Sequence, residues 1–237
     1  MRLRRIFAFA ATPLVIITAA CGGNNSPASP GGPTAGTGGG GGPACRTYAT
    51  AANVKTTTSA SNIVFQAVES GTFDPSTNKV TVQTKFANGA PCNTGVTSYN
   101  SVADFVDEVR VIPDVFLATG TTSTNTGACG SVSGSLTYTY DGQRRLVSMI
   151  PSTGAVTTYT AWDSSGRPTA GTISSGGSIT NVYDDAARTQ TQTQSASGAV
   201  STLTYDANGI QTSIVVVQGG ITSTTTFTNT SFATVCK

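Results

Sequence analysis

The sequence has no histidine, and that absence removes Ser-His and Cys-His catalytic pairs together with every imidazole-ligated metal site. Charge is also scarce, at 10% of residues. Apart from Arg2, Arg4 and Arg5 at the front of the chain, ten basic side chains face eleven acidic ones, so no basic field exists to attract nucleic acid or anionic lipid. The glycines at 38–42 are not followed by Lys-Ser or Lys-Thr, so they form no phosphate-binding loop, and nothing signals a cofactor or a metal. The apolar run from Ile6 to Ala20 is broken by Thr12-Pro13 and is too short and interrupted for a membrane span. Threonine and serine supply the missing polarity, a composition that suits an exported β-protein with a hydroxylated solvent face.

What is present begins with an address. Residues 1–20, with a charged start, an apolar run and small residues at its end, read as a bacterial secretory signal. Thr18-Ala19-Ala20-Cys21 resembles a lipoprotein box, with Thr18 in place of the usual Leu, and implies that Cys21 becomes the fatty-acylated N-terminus. The other reading is ordinary cleavage after Ala20, which leaves Cys21 a plain thiol. Five cysteines is an odd number, and assigning Cys21 to lipid leaves an even four. Gly22 to Pro43 holds ten Gly and four Pro in 22 residues, without an aromatic or a charge. Such a segment buries too little to offset its ordering entropy, so 21–44 is expected to be a lipidated Cys followed by a flexible tether with a reach of about 25 Å.

From Tyr140 onward an aromatic-Asp pair recurs. The pairs are Tyr140-Asp141, Trp162-Asp163, Tyr183-Asp184 and Tyr205-Asp206, at steps of 22, 21 and 22 residues. Behind the pairs stand Arg144-Arg145-Leu146, Gly166-Arg167-Pro168, Ala187-Arg188-Thr189 and Gly209-Ile210-Gln211. A second punctuation follows at Gly154, Gly176-Gly177, Gly198 and Gly219-Gly220. Two turn signals separating two Thr-, Val-, Ile- and Tyr-rich runs make each repeat one hairpin. Asp opens the first turn, where its carboxylate accepts backbone N–H groups two residues on. Leu136, Tyr138 and Tyr140 share one parity and Thr137 and Thr139 the other, which predicts an apolar face and a wet threonine face.

These strings, Tyr140-Asp141-x-x-Arg144-Arg145-Leu146, Trp162-Asp163-x-x-Gly166-Arg167 and Tyr205-Asp206-x-x-Gly209, resemble the Tyr-Asp repeat of the RHS/YD family over roughly 90 residues. The resemblance implies an antiparallel sheet of successive hairpins. In long members the sheet spirals into a hollow shell, sometimes around a toxin, and some members look like adhesion or glycan-contacting proteins. Trp162 in place of Tyr, Ala187 before Arg188, and Ile210 where Arg is expected depart from that pattern, and four units are too few to enclose a cargo.

The stretch 45–134 has strand signals without a clean repeat, and 135–237 is the repeat region. Lys79 to Phe86 alternates, Ile63 to Val68 is a denser apolar run, and Phe73-Asp74-Pro75-Ser76-Thr77-Asn78 between them looks like a decayed aromatic-Asp turn. Ser101-Val102-Ala103-Asp104 is a capping-box pattern, and Val102, Phe105, Val106 and Val109 keep helical spacing. One short helix is expected from Val102 to Val109, covering an open edge or end of an otherwise all-β fold, a hairpin array either flat or rolled.

Cys45, Cys92, Cys129 and Cys236 belong to an exported chain and are expected to be oxidised. Four hairpins side by side advance roughly 35 to 40 Å, which disfavours Cys129 with Cys236. Cys92 with Cys129 and Cys45 with Cys236 is the preferred set and requires the sheet to roll. Cys45 with Cys92 is the competing local pair.

Three functional classes follow. An enzyme without His would need paired carboxylates, a carboxylate-based hydrolase drawing on Asp104, Asp107 and Glu108 on the helix or on Asp184-Asp185, and a solvated helix face and turn-forming Asp account for these residues more simply. A binding module would use Tyr138, Tyr140, Tyr159, Trp162, Tyr183 and Tyr205 against a glycan or an envelope protein, and the same rings serve equally as core. The leading expectation is a non-enzymatic lipoprotein, lipid-anchored at the bacterial outer membrane or cell surface, with a structural or surface-display role. Its partner is the membrane through the lipid.

Overall fold

Threonine and β-branched residues alternate with larger side chains along most segments after Cys45, and that alternation builds strands with two unlike faces. The computed structural model describes residues 45–60, 64–107, 117–125, 133–207 and 209–237. The signal, Cys21, the tether, Ile63, Glu108, Val109 and Cys129 lie outside the described residues.

The strands are β1 (Cys45–Thr58), β2 (Val64–Asp74), β3 (Lys79–Phe86), β4 (Pro91–Tyr99), β5 (Ala118–Asn125), β6 (Gly134–Tyr140), β7 (Leu146–Pro151), β8 (Thr157–Trp162), β9 (Pro168–Ile173), β10 (Ser178–Asp184), β11 (Thr189–Gln194), β12 (Ala199–Tyr205), β13 (Gln211–Gln218) and β14 (Ile221–Cys236), with helix α1 (Val102–Asp107) between β4 and β5. Each strand pairs antiparallel with its sequence neighbours, and β1 also pairs with β14, so the sheet closes into a barrel of 14 strands. The expected all-β array of hairpins therefore forms, and its roll is complete. The stretches 45–134 and 135–237 contribute to one continuous sheet. The four aromatic-Asp pairs sit in the turns of the β6–β7, β8–β9, β10–β11 and β12–β13 hairpins.

Side-chain parity is as the sequence implies. On β6 Leu136, Tyr138 and Tyr140 are half-buried on the inner face while Thr137 and Thr139 are exposed. On β14 the buried Phe227 lies between the exposed Thr226 and Thr228. The seam runs from Cys45 opposite Cys236 to Thr58 opposite Ser223, and the Cys45–Cys236 disulfide fastens its first rung. Cys92 is buried and also disulfide-bonded, while its expected partner Cys129 is not among the described residues.

The aromatic-Asp turns, α1 and the seam disulfide share one end of the barrel. The glycine turns share the other. Helix α1 starts where the capping box predicts, with Ser101 Oγ accepting the Asp104 N–H at 3.0 Å. Because a closed barrel has no edge to cover, the helix covers an end. Phe105, 1% exposed, stacks on Phe73 at 4.0 Å and meets Tyr48 and Tyr99 edge-on, and burying such a ring contributes about 2–3 kcal/mol. Arg46 closes over the other side of the Phe105 ring at 4.1 Å and donates to the Phe105 carbonyl at 2.7 Å.

Candidate functional site

The charged end of the barrel is assembled from short sequence motifs. Asp141 Oδ1 accepts the N–H groups of Gln143 and Arg145, each at 2.9 Å, and its Oδ2 accepts from the Arg145 side chain. Asp163 repeats the pattern with Ser165, Arg167 and the Arg167 side chain. Asp206 accepts the Ile210 N–H at 2.8 Å and Asp184 that of Ala187 at 2.8 Å. The expected capping two residues on is therefore present at Asp141 and Asp163. The decayed turn behaves alike, since Asp74 Oδ1 accepts from the Ser76 N–H and hydroxyl. Those two Ser76 bonds with the Thr77 hydroxyl hold the Asp74 carboxyl below its usual range, and the Arg145 N–H does the same for Asp141. At Asp163 burial works against ionisation, but the bonds and charge of Arg167 prevail and its carboxyl is also lowered.

Each arginine then reaches the next repeat. Arg145 lies 4.5 Å from the centre of the Trp162 ring, and Arg167 lies 4.4 Å from that of Tyr183. The rings answer in the opposite direction. Trp162 Nε1 donates to the Leu146 carbonyl and the Tyr183 hydroxyl to the Pro168 carbonyl, both at 3.0 Å, so each ring grips the residue after the arginine that covers it. Arg167, 7% exposed, also pairs with Asp185 at 2.7 Å. Burial opposes its charge, but Asp185 and Asp163 outweigh that and strengthen its hold on the proton.

Arg188 does not continue this ladder, and the reason corrects the repeat alignment. Its φ is 54°, and the matching positive-φ positions in the other turns are Arg144 at 62°, Gly166 at 84° and Gly209 at 72°. The third turn is one residue longer, so Arg188 stands in the glycine position and not in that of Arg167. Asn78 at 54° follows Phe73 by the same five residues that separate Arg188 from Tyr183, which places the β2–β3 turn in this longer class.

The six rings considered as a binding surface all point into the barrel. Tyr159 and Tyr205 are buried, while Tyr138, Tyr140, Trp162 and Tyr183 are half-buried. Tyr140 donates to the Ala118 carbonyl at 2.7 Å, and Tyr159 packs with Leu146 and Ile179 and reaches Met149 Sδ. Burial pushes the hydroxyls of Tyr159, Tyr183 and Tyr205 up in pKa. The structure thus brings these rings together as an inner layer at the charged end. The candidate carboxylates are separated: Asp104 pairs with Arg144, Asp107 with Lys237, Asp185 with Arg167, and Asp184 caps its turn. Among the described residues no group of acidic or cysteine side chains is arranged to hold a metal ion.

Several residues carry weight that sequence reasoning did not assign. Glu69 on β2 faces inward beside a cavity of about 20 Å³ that Ala52 and Gly71 also line, room for a single water. Thr84 donates to its Oε1 at 3.3 Å, and its buried Oε2 has no partner. Burial pushes its pKa up to about 7 against that one hydrogen bond. Gln211 Nε2 and Asn229 Oδ1 are likewise buried and unpartnered. At the glycine end a serine clasp recurs. Ser152, Ser174 and Ser195 each donate their N–H to the carbonyl of Ser135, Val156 and Ser178, and each hydroxyl receives that partner's N–H in return. Their spacing of 22 and 21 residues was the available signal. No protein-family model matches the chain, and no curated protein matches it.

Proposed function

We propose that the protein is a non-enzymatic lipoprotein of the bacterial envelope with a structural or surface-display role. Its barrel stands off the outer membrane or cell surface on residues 22–44, attached through an acylated Cys21. The observation that carries this reading is the outer wall. Thr222, Thr224, Thr226, Thr228 and Thr230 occupy the outward positions of β14, and Thr189, Thr191 and Thr193 those of β11. A strand wall lying in lipid presents a continuous apolar band, whereas hydroxyl rows suit water, which supports attachment through the chain outside the barrel. The barrel begins at Cys45, directly after the glycine- and proline-rich segment, which supports attachment from that side.

The inward rings favour a structural role over adhesion through the repeat aromatics, and the separately paired acids favour it over a carboxylate hydrolase. The RHS/YD resemblance enters in the same spirit, as a short array of Tyr-Asp hairpins used for a rigid wall. A clickable fatty-acid probe tests the anchor. Cells labelled with it are expected to show the protein acylated and membrane-bound, with both label and membrane association lost in Cys21→Ala. Label retained by the variant rejects the anchor.

A further inference from the structure

The inner face of the seam carries one polar rung between two apolar layers. Glu69 of β2 stands opposite Ala52 of β1, and Ala52 stands opposite Asn229 of β14, so a carboxyl and an amide flank one methyl group on the same face. Val54, Ala67 and Phe227 cluster on the glycine-turn side of this rung, while Tyr48, Phe73 and Val80 belong to the Phe105 cluster on its other side. Thr84 extends the rung onto β3 by donating to Glu69 Oε1. Two oxygens are left over. Glu69 Oε2 and Asn229 Oδ1 are both buried, and neither has a hydrogen-bond partner, which is costly for an acceptor out of water. The Asn229 amide is oriented by its Nδ2, which donates to the Gln211 carbonyl at 3.5 Å and leaves Oδ1 over. Gln211 Nε2, also buried, bonds neither oxygen.

Glu69 and Asn229 stand two strand spacings apart, about 10 Å between backbones, a gap that their side chains and one hydrogen bond can span. Ala52, 2% exposed, leaves the path between them clear. Two acceptors cannot bond each other, but a single proton on Oε2 makes one of them a donor and satisfies both. We propose that Glu69 and Asn229 form a proton-operated clamp over the seam strand: with the carboxyl protonated, Oε2 donates to Asn229 Oδ1 and ties β2 to β14 across β1, and loss of the proton releases the tie. The surroundings suit this role. Tyr48 and Ala52 from β1 and Val82 from β3 line the small cavity beside Glu69, Thr84 bonds it from β3, and Asn229 faces it across Ala52; of these only Tyr48 titrates. Lys55, Lys79 and Lys85 take the exposed, outward parity of their strands, Asp74 lies at the β2–β3 turn, and Arg46 is held at Phe105. Burial therefore meets no counter-charge and is opposed only by Thr84, so the proton is kept to about pH 7. The clamp is closed in acid and opens as the pH rises through that value.

The test uses residues 21–237 with Cys21→Ala, which contains the whole closed barrel, and follows its carboxyl carbons by NMR after labelling glutamate with carbon-13. The chain has only two glutamates, Glu69 and Glu108, so Glu69→Gln assigns the signal. A Glu69 midpoint near pH 7 is expected in the parent. Asn229→Ala removes the acceptor and is expected to lower that midpoint by roughly half to one pH unit, whereas Asn229→Asp sets a second carboxylate beside Glu69 and is expected to raise it by at least as much. The outward Thr228→Ala on the same strand is expected to leave it in place. Asn229→Asp serves alone if Asn229→Ala does not fold, judged by circular dichroism and an intact Cys45–Cys236 disulfide. The tie itself is read by amide hydrogen exchange from Ala52 to Thr56. Protection there is expected to fall roughly three- to tenfold between pH 5.5 and 8, after correction for intrinsic rates, and to stay level in Glu69→Gln. A parent midpoint near 4.5, a midpoint unmoved or raised in Asn229→Ala, one unmoved in Asn229→Asp, or protection that falls equally in Glu69→Gln overturns the proposal. None of these outcomes depends on lipidation of Cys21.

Discussion

At the end of the barrel where β1 starts, every aromatic-Asp turn carries a carboxylate on its own backbone, and two of them pass an arginine to the next ring. At the opposite end the described turns hold no charge; Gly154, Gly176 and Gly177 provide φ of 100°, 101° and 93°, and serine hydroxyls close the last rungs. The same strands feed both ends, so the difference lies in the turns alone. A capped and stacked turn ties a repeat to its neighbour through an arginine and a ring, whereas a glycine turn adds only a serine clasp to the adjoining strand. One end is consequently stitched from repeat to repeat at Arg145 and Arg167 and filled by α1, and the other is held by its strands and serine clasps.

The contrast is open to attack, beginning where the largest effect is expected. Replacing Cys45 and Cys236 by Ser removes a link between residues 191 apart, for which loop entropy allows up to about 5 kcal/mol. Urea unfolding of the double variant measures it, and a loss under about 1 kcal/mol would mean that strand pairing alone holds the seam. Phe105→Ala is expected to cost about 3–4 kcal/mol, because the ring it empties is fully buried among three others. A neutral outcome would show that α1 rests on the end without organising it.

Glu69 supplies a pH signature between the two ends. In the barrel it keeps its proton to about pH 7, whereas in the unfolded chain it releases it near 4.5. Between those values the folded state binds more protons, so stability falls as pH rises from 4.5 to 7 and levels off above, on the order of 3 kcal/mol in all. Glu69→Gln is expected to flatten that slope, and a slope unchanged in the variant would assign the pH dependence elsewhere. The smallest effects grade the turns themselves. Asp163→Ala removes three bonds and strands a buried arginine on Asp185, at about 2–3 kcal/mol, and Asp206→Ala is expected to cost about 1 kcal/mol. At the far end Ser195→Ala is expected to cost about 0.5–1 kcal/mol. Equal losses at Asp163 and Ser195 would erase the distinction between the ends.

Much of the fold was legible because turns and alternation are local. The period of Tyr140, Trp162, Tyr183 and Tyr205 marks the hairpins, Ser101 marks the start of α1, and Phe73-Asp74 betrays a fifth turn of the same kind. Closure was legible only indirectly, through Cys45 and Cys236, since nothing local in β1 says that its second partner lies at the other end of the chain. The place of Arg188 in the repeat was misread because a one-residue turn insertion shifts register without changing composition. Arg46 and Glu69 were invisible for a different reason. A lone charged residue in a strand reads as solvent-facing until its packing is known, and the contact of Arg46 with Phe105 of α1 and the burial of Glu69 beside its small cavity are properties of the assembled barrel.

The seam also sets an order of events in time. A ribosome makes β1 first and β14 last, yet these two strands form the longest ladder in the sheet. Each hairpin from β2 onward pairs with a neighbour made moments earlier, and such local contacts form quickly. Strand β1 meanwhile keeps one row of unpaired N–H and C=O groups, an open template for another chain. Its Cys45 thiol waits as well, with Cys92 reaching completion long before Cys236. The newborn barrel is therefore most exposed to mispairing and to association with its own copies just before the sixteen residues of β14 arrive, and that strand acts on the nascent chain as a lid that ends the vulnerability.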